Sequence, residues 1–237
     1  LNAISIASGG TFVINQSDVV TQGTEFGNSI SGAGSIEQAG TGATTLNVAN
    51  SHTGGTTISA GTLVIDDASA LGTGAVTLSG GILAENVASN NVYTNDIVAS
   101  ATTNSAIIDT SGGNFDFSGS LSGSGTLNFG GTGDGQVGAN VRNFGSWSGS
   151  FSGTITHESV VGGNNFFLDD LNTPSLKLST SGSTSISDAY TRFAGINTIG
   201  ELSGTGGVIR GRNGTLTVNQ STDTTYSGQL ADEGTRT

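Results

Sequence analysis

ANSHTGGTTISAGTLVIDDASALGTGAVTLSGGIL, from Ala49 to Leu83, decides the fold. It holds three strand-like pieces, each with apolar residues two apart and each bounded by glycine. Ile58 closes the first, Leu63 and Ile65 form the second, and Val76 and Leu78 form the third. Spacing of two between glycine turns marks short, half-buried strands, and no helical period competes with it. Parts of the phrase recur along the chain, as one supersecondary unit stacked many times would require.

The recurring element is glycine, threonine, then two apolar residues flanking a third position. It stands at Gly10–Ile14, Gly61–Ile65, Gly125–Phe129 and Gly214–Val218. A second element, S-G-x-G, precedes strands at Ser31–Gly34, Ser122–Gly125 and Ser203–Gly206. Further apolar pairs at Phe115 and Phe117, Leu176 and Leu178, and Val208 and Ile209 extend the pattern. Glycine at the corners permits the positive φ of a tight turn, and β-branched Thr and Val favour extended backbone between corners.

A meander of hairpins is the rival arrangement. It predicts several two-residue turns, and Asn213-Gly214 is the one clear dipeptide of that kind. The pattern therefore predicts an all-β chain, a parallel β-helix or β-solenoid, with residues 1–237 as a single segment of it. Turns of roughly 20–25 residues give about ten coils, and a strand spacing of ~4.8 Å gives a length on the order of 50 Å. Neither end shows an obvious capping turn, and the expectation is a segment of a longer repetitive chain.

Composition narrows the class. Glycine contributes 40 of 237 residues against one proline, Pro174, so collagen is excluded. Charged residues are only 10%, far below the ~25% of ordinary soluble domains. Eighteen acidic against six basic residues give a net charge of −12, which argues against nucleic acid as a partner. Cysteine and methionine are absent, so no disulfide, thiolate metal site or sulfur oxidation chemistry exists. No apolar run approaches the ~18 residues of a transmembrane segment, and aromatics at 6% lack the girdles of a membrane barrel.

The run HTGGTTISAGTLVIDDASALGTGAVTLSGG, His52 to Gly81, resembles the autotransporter-associated β-strand repeat of bacterial surface passengers and giant exported proteins. Residues 196–230, INTIGELSGTGGVIRGRNGTLTVNQSTDTTYSGQL, resemble the strand pairs between such repeats more loosely. The resemblance implies a right-handed parallel β-helix displayed outside a bacterial cell, secreted or surface-held, as stalk, spacer or adhesin. The family's C-terminal membrane barrel is absent from these residues.

Searches for chemistry return little. Asp66-Asp67 and Asp169-Asp170 are the paired carboxylates that a β-helix polysaccharide lyase or hydrolase would use, but no basic or histidine partner lies near them in sequence. Turn residues bonding their own backbone are the plainer reading. His52 and His157, the only histidines, are expected to be exposed polar residues, and no G-x-S-x-G accompanies them. Gly130-Gly131-Thr132-Gly133-Asp134 approaches a calcium repeat, with its aspartate one position early and no second copy. Gly133, Gly135 and Gly138 match a dinucleotide spelling without a β-α-β context. No cofactor or metal is expected.

Residues 142–174 depart from the regular phrase. Trp147, with Phe144 and Phe151 near it and Asn164-Asn165-Phe166-Phe167 beyond, could form a shallow sugar platform, or could pack in or against the core. Arg142, Arg192, Arg210 and Arg212 are read as surface partners of nearby acids, worth little to stability.

The sequence thus predicts a non-enzymatic extracellular rod: a stalk, fibre or filament subunit with an adhesive role. Its partners would be further repeats of the same chain or other copies of itself, and surface glycans or host cell-surface proteins. A glycan-binding module and a polysaccharide-degrading enzyme are the alternatives.

Overall fold

The computed structural model describes residues 2–88, 91–101, 105–110, 115–129, 140–146, 151–159, 165–169, 172–182, 184–185 and 190–232. Within them the structure is strand and turn, with no helix. Every strand pairing is parallel. Each strand therefore pairs with a counterpart about one coil away; near the C-terminal end, where strands are long, even Thr191–Gly204 and Val208–Val218, split by a short corner, pair in parallel. The result is a β-solenoid of about 8 turns.

Three ladders run along it. Ile36 pairs with Thr56, Thr56 with Val76, Val76 with Ile97 and Ile97 with Leu121. On the second face Thr44 pairs with Leu63, Leu63 with Leu83 and Leu83 with Ile107. On the third, Tyr93 pairs with Phe117, and beyond it Phe166 pairs with Thr191 and Thr191 with Ile209. Pairing of like with like is the cause of the repeat: an inward residue sits over an inward residue, and the apolar interior becomes continuous. Ile36, Ile58, Leu63, Ile65, Val76, Leu78, Ile97, Ile107 and Leu121 are all 0% exposed. Burial of each contributes roughly 1.5–3 kcal/mol.

All four copies of the glycine-threonine element become strands or strand ends: Thr11–Ile14, Thr62–Ile65, Thr126–Phe129 and the close of Val208–Val218. The S-G-x-G element has a specific geometry. Its first glycine has φ of 98° at Gly32, 102° at Gly123 and 144° at Gly204. Each stands in register with a residue one coil earlier, Ile6, Ala99 and Thr180 respectively. A Cβ there would run into that residue's carbonyl oxygen. Glycine is thus demanded twice, by the backbone angle and by the approach of the coil below.

Coil length varies more than even division of the sequence predicts. Hydrogen-bonded neighbours on successive coils are separated by 20 residues at Asp66 and Asn86, 24 at Asp96 and Ser120, and 28 at Asn128 and Thr156. Longer coils account for fewer turns than the ten expected. Asn213 has φ of 49°, but Asn213-Gly214 makes no hairpin. It bends Val208–Val218 where that strand and Thr191–Gly204 shift register in parallel.

Candidate functional site

Inside the coils the corners create a polar problem, because a carbonyl that turns away from its ladder must find another donor. Buried amide side chains solve it. Gln22 and Asn50, on successive coils, exchange reciprocal hydrogen bonds: Gln22 Nε2 donates to Asn50 Oδ1 at 2.7 Å and Asn50 Nδ2 to Gln22 Oε1 at 3.3 Å. Asn50 Nδ2 also donates to the Ala70 carbonyl (2.8 Å), and the Ile30 amide donates to Asn50 Oδ1 (2.8 Å). Asn95 Nδ2 donates to the carbonyls of Gly72 and Gly74 at 3.2 and 2.7 Å. These residues are spent on the scaffold.

The histidines overturn their expected exposure. His52 is 0% exposed and His157 2%. His52 Nε2 lies 3.0 Å from Thr56 Oγ1, and burial lowers the imidazole pKa below its ordinary value. His157 Nδ1 lies 3.0 Å from Thr191 Oγ1, with its ring tilted against Phe166 at a centroid distance of 6.2 Å. Each histidine points inward because its position falls in phase with the interior: His157 pairs with Phe129 below and Thr180 above. Both rings are held by a threonine hydroxyl within the solenoid, out of reach of a substrate.

The carboxylate pairs separate. Asp67 Oδ1 accepts the Ser69 amide hydrogen at 2.7 Å, an Asx turn of the kind expected. Asp66 Oδ1 accepts from Asn86 Nδ2 at 3.0 Å, bridging to the next coil. Asp169 ends the strand Asn165–Asp169, while Asp170 lies outside the described residues, as do Asp134 and the glycine run around it. Another acid, Asp96, accepts from the Ser120 amide (2.7 Å) and hydroxyl (2.8 Å), and these bonds lower its pKa, the amide foremost. Among the described residues no group of three or more His, Asp or Glu could hold a metal. No helix there is long and apolar enough to cross a membrane, which says nothing of a β-barrel.

Of the three aromatic candidates, Trp147 lies outside the described residues. Phe144 belongs to the strand Asn140–Ser146, in register with Phe117. Phe151 is 0% exposed and packed in the core, bridged to Gly123. Its ring offers no face to solvent, so Phe151 follows the core reading and not the platform. Phe166, 1% exposed, stacks on Phe129 with centroids 4.3 Å apart.

Sequence reasoning missed an aromatic–arginine stack on the third face. The Arg192 guanidinium carbon lies 3.9 Å from the Phe167 ring centroid, and that of Arg210 lies 4.0 Å from the Tyr190 centroid. The two rings are 6.2 Å apart. Such pairs contribute roughly 0.5–2 kcal/mol each.

Residues 36–65 match the family model of the passenger-associated-transport-repeat. The chain carries an autotransporter passenger repeat. In the structure this repeat is one coil and its return, since Ile36 pairs with Thr56 and Leu46 with Ile65. A stretch of 58 residues is 48% identical to the adhesin BmaC autotransporter of Brucella suis biovar 1 (strain 1330), covering 24% of this chain. The matched stretch spans about 2% of that relative's length. No solved structure matches. The repeat overlaps the phrase that begins at His52, and the resemblance read there is borne out.

Proposed function

We propose that this chain is a length of an exported, cell-surface passenger, in which the solenoid serves as a structural rod bearing an adhesive surface and catalyses no reaction. The observation that carries this reading is the succession of parallel rungs among the described residues. With about 8 turns at ~4.8 Å per rung, the chain gains a length on the order of 40 Å. The similarity to an autotransporter adhesin supports export and adhesion, and the expenditure of both histidines and Asp67 on internal bonding supports a role without chemistry.

Association belongs to the same proposal. Among the described residues Ile4–Ile6 and Gln229–Asp232 each pair on one side only. Val13, Val19 and Leu230 near those ends are 50%, 71% and 66% exposed. Further repeats of the same chain, or other copies, would complete such edges.

Small-angle scattering of the purified chain tests the rod. An elongated particle with a constant cross-section is expected, and a compact sphere overturns the reading. Beads coated with the chain test adhesion: retention on host cells above that of uncoated beads is expected. Release of reducing or unsaturated sugar from acidic or neutral polysaccharides would instead favour the enzyme.

A further inference from the structure

The second face carries an apolar strip on its outer side. Leu63, Ile65 and Ile107 are 0% exposed, so the residues that alternate with them along the strands point outward. These fall into two columns. Ala43 pairs with Thr62, Thr62 with Ile82 and Ile82 with Ala106. Two residues along each strand, Thr45 pairs with Val64, Val64 with Ala84 and Ala84 with Ile108. Val19 precedes Val20, the partner of Thr44, and so heads the first column at 71% exposure. Val64, Ile82 and Ile108 are half-buried, and Ala84, at 2%, is the floor between its two larger neighbours. Every member of both columns is aliphatic or threonine. The outward column of the first face is more polar: there Glu37 pairs with Thr57, Thr57 with Thr77 and Val98 with Ser122.

The strip lies in acidic surroundings. Residues 1–141 hold ten Asp and Glu and no Lys or Arg, and all five rungs of the strip fall within them. Asp66 follows Ile65 at the edge of the strip, exposed and bonded to Asn86 on the next coil. Asp67 stands beside it.

We propose that this strip docks a basic amphipathic peptide segment, apolar on one side and rich in lysine or arginine on the others. The proposal rests on the adhesive reading above and names a surface and a partner class for it. Five rungs ~4.8 Å apart give a strip about 19 Å long, and two columns make it about 7 Å wide. Apolar contact over so narrow a strip holds a partner weakly, and opposite charge has to supply the rest. The field of an all-acidic stretch supplies it. Val64, Ile82 and Ile108 are β-branched and stiff, so docking against them costs little side-chain entropy.

The sign of the charge decides among the other occupants. An acidic polymer, a nucleic acid and an anionic lipid surface are all repelled. A second copy of this chain brings the same net charge of −12 to the same face. A sugar finds no aromatic ring in either column to stack on.

The test is fluorescence anisotropy of a synthetic leucine–lysine amphipathic helix titrated with the full chain. Its controls are the same residues scrambled to remove the apolar side, poly-lysine, and a leucine–glutamate helix. Binding of the leucine–lysine helix that weakens as salt rises is expected, with the scrambled peptide and poly-lysine at least about tenfold weaker, since both lack the apolar side. The double variant Val64→Ser, Ile82→Ser should lose at least about tenfold in affinity, the apolar contact of two side chains. Asp66→Asn with Asp67→Asn should lose about two- to fivefold, as exposed charges do. Ile196→Ser removes a side chain that is 75% exposed elsewhere on the chain, and should bind as the parent does. Circular dichroism and scattering on each variant separate loss of binding from loss of fold. A parent chain that ignores the leucine–lysine helix, or a Val64→Ser, Ile82→Ser variant that binds it undiminished, overturns the proposal. Retention of chain-coated beads on cells would in that case leave the adhesive reading intact. Equal binding of the leucine–glutamate helix overturns the assignment to basic partners, and an equal loss in Ile196→Ser overturns the assignment to this strip. Sedimentation that finds a dimer of the parent, dissolved by Val64→Ser, Ile82→Ser, would give the strip to a second copy instead.

Discussion

Gly72 lies directly over the imidazole of His52, one coil above it. A Cβ at position 72 would stand 2.8 Å from both His52 Cε1 and Nδ1 and would also strike the His52 carbonyl oxygen. Gly72 has φ of 63°, so a side chain there is opposed by the backbone as well. The cost of Gly72→Ala should be the left-handed penalty of about 1–2 kcal/mol and an overpacking cost of about 1–3 kcal/mol. Gly9→Ala separates the two effects: its φ is 76°, but nothing lies within 4 Å of its would-be Cβ. Urea titration should show the larger loss at position 72. Equal losses at both sites would mean that the ring yields to the new methyl.

The same ring makes stability depend on pH. Burial lowers the His52 pKa, so the folded state holds this imidazole neutral where the unfolded chain would protonate it. The unfolded state then binds more protons, and stability rises with pH in that range. The His52 contribution is therefore fully present above the unfolded pKa of about 6.5, and is lost as pH falls from there toward the lower folded value. His52→Gln should flatten this part of the stability profile, measured by thermal melts between neutral and mildly acid pH. A variant profile parallel to the parent's would assign the slope to other groups.

His52 also shows where sequence reading reaches its range. Corners and strands were legible, because glycine and apolar spacing act locally: the same glycine-threonine phrase becomes a strand at Thr11, Thr62, Thr126 and Thr215. Whether a polar residue near a corner faces in or out depends on the coil beside it. The partner of His52, Thr56, is close in sequence, but the lid supplied by Gly72 comes from the next coil. The aromatic–arginine stack was hidden for a related reason. Coils of 20, 24 and 28 residues share no fixed period, so nothing in the linear chain sets Phe167, Arg192 and Arg210 side by side. Phe151 was ambiguous, since an aromatic next to glycine and serine fits either a surface platform or a core.

The amide pair at the first coils should be costly to break. Replacing Asn50 with Leu removes the partner of the Ile30 amide, the Ala70 carbonyl and the Gln22 side chain together. Gln22 is itself 0% exposed, so its amide cannot turn to water. Each orphaned buried group costs about 1–3 kcal/mol, and the sum should be a large share of the chain's stability. Asn50→Asp keeps the acceptor but loses the donations to the Ala70 carbonyl and to Gln22 Oε1, and it sets a buried carboxylate oxygen against both of those oxygens, so it should be destabilising as well. By contrast, Ser79→Ala breaks only an exposed hydroxyl bridge to Ser100 and should change stability by less than about 0.5 kcal/mol. Guanidinium unfolding of the three variants gives the order. A mild Asn50→Leu would show that water enters the corner.

Breaking the S-G-x-G corner in the middle of the solenoid tests how far one coil depends on another. Gly123 combines φ of 102° with close approach to the Ala99 carbonyl, so Gly123→Ala should disrupt the contact between the strand Ile97–Ala99 and the strand Phe115–Gly123. In a stack where each coil touches only its neighbours, stability is close to a sum of coil and interface contributions. Damage at one corner should then stay near it. Hydrogen exchange should accelerate at residues 97–99, 115–129 and 151–159, while the ladder from Ile36 through Thr56 to Val76 keeps its protection. Ser122→Ala, one residue away and free of the glycine constraint, should leave both regions unchanged. Uniform loss of protection along the chain would instead mean that the core from Leu46 to Ile209, contiguous in space, unfolds as one cooperative unit, and that the solenoid owes its stability to its interior more than to its rungs.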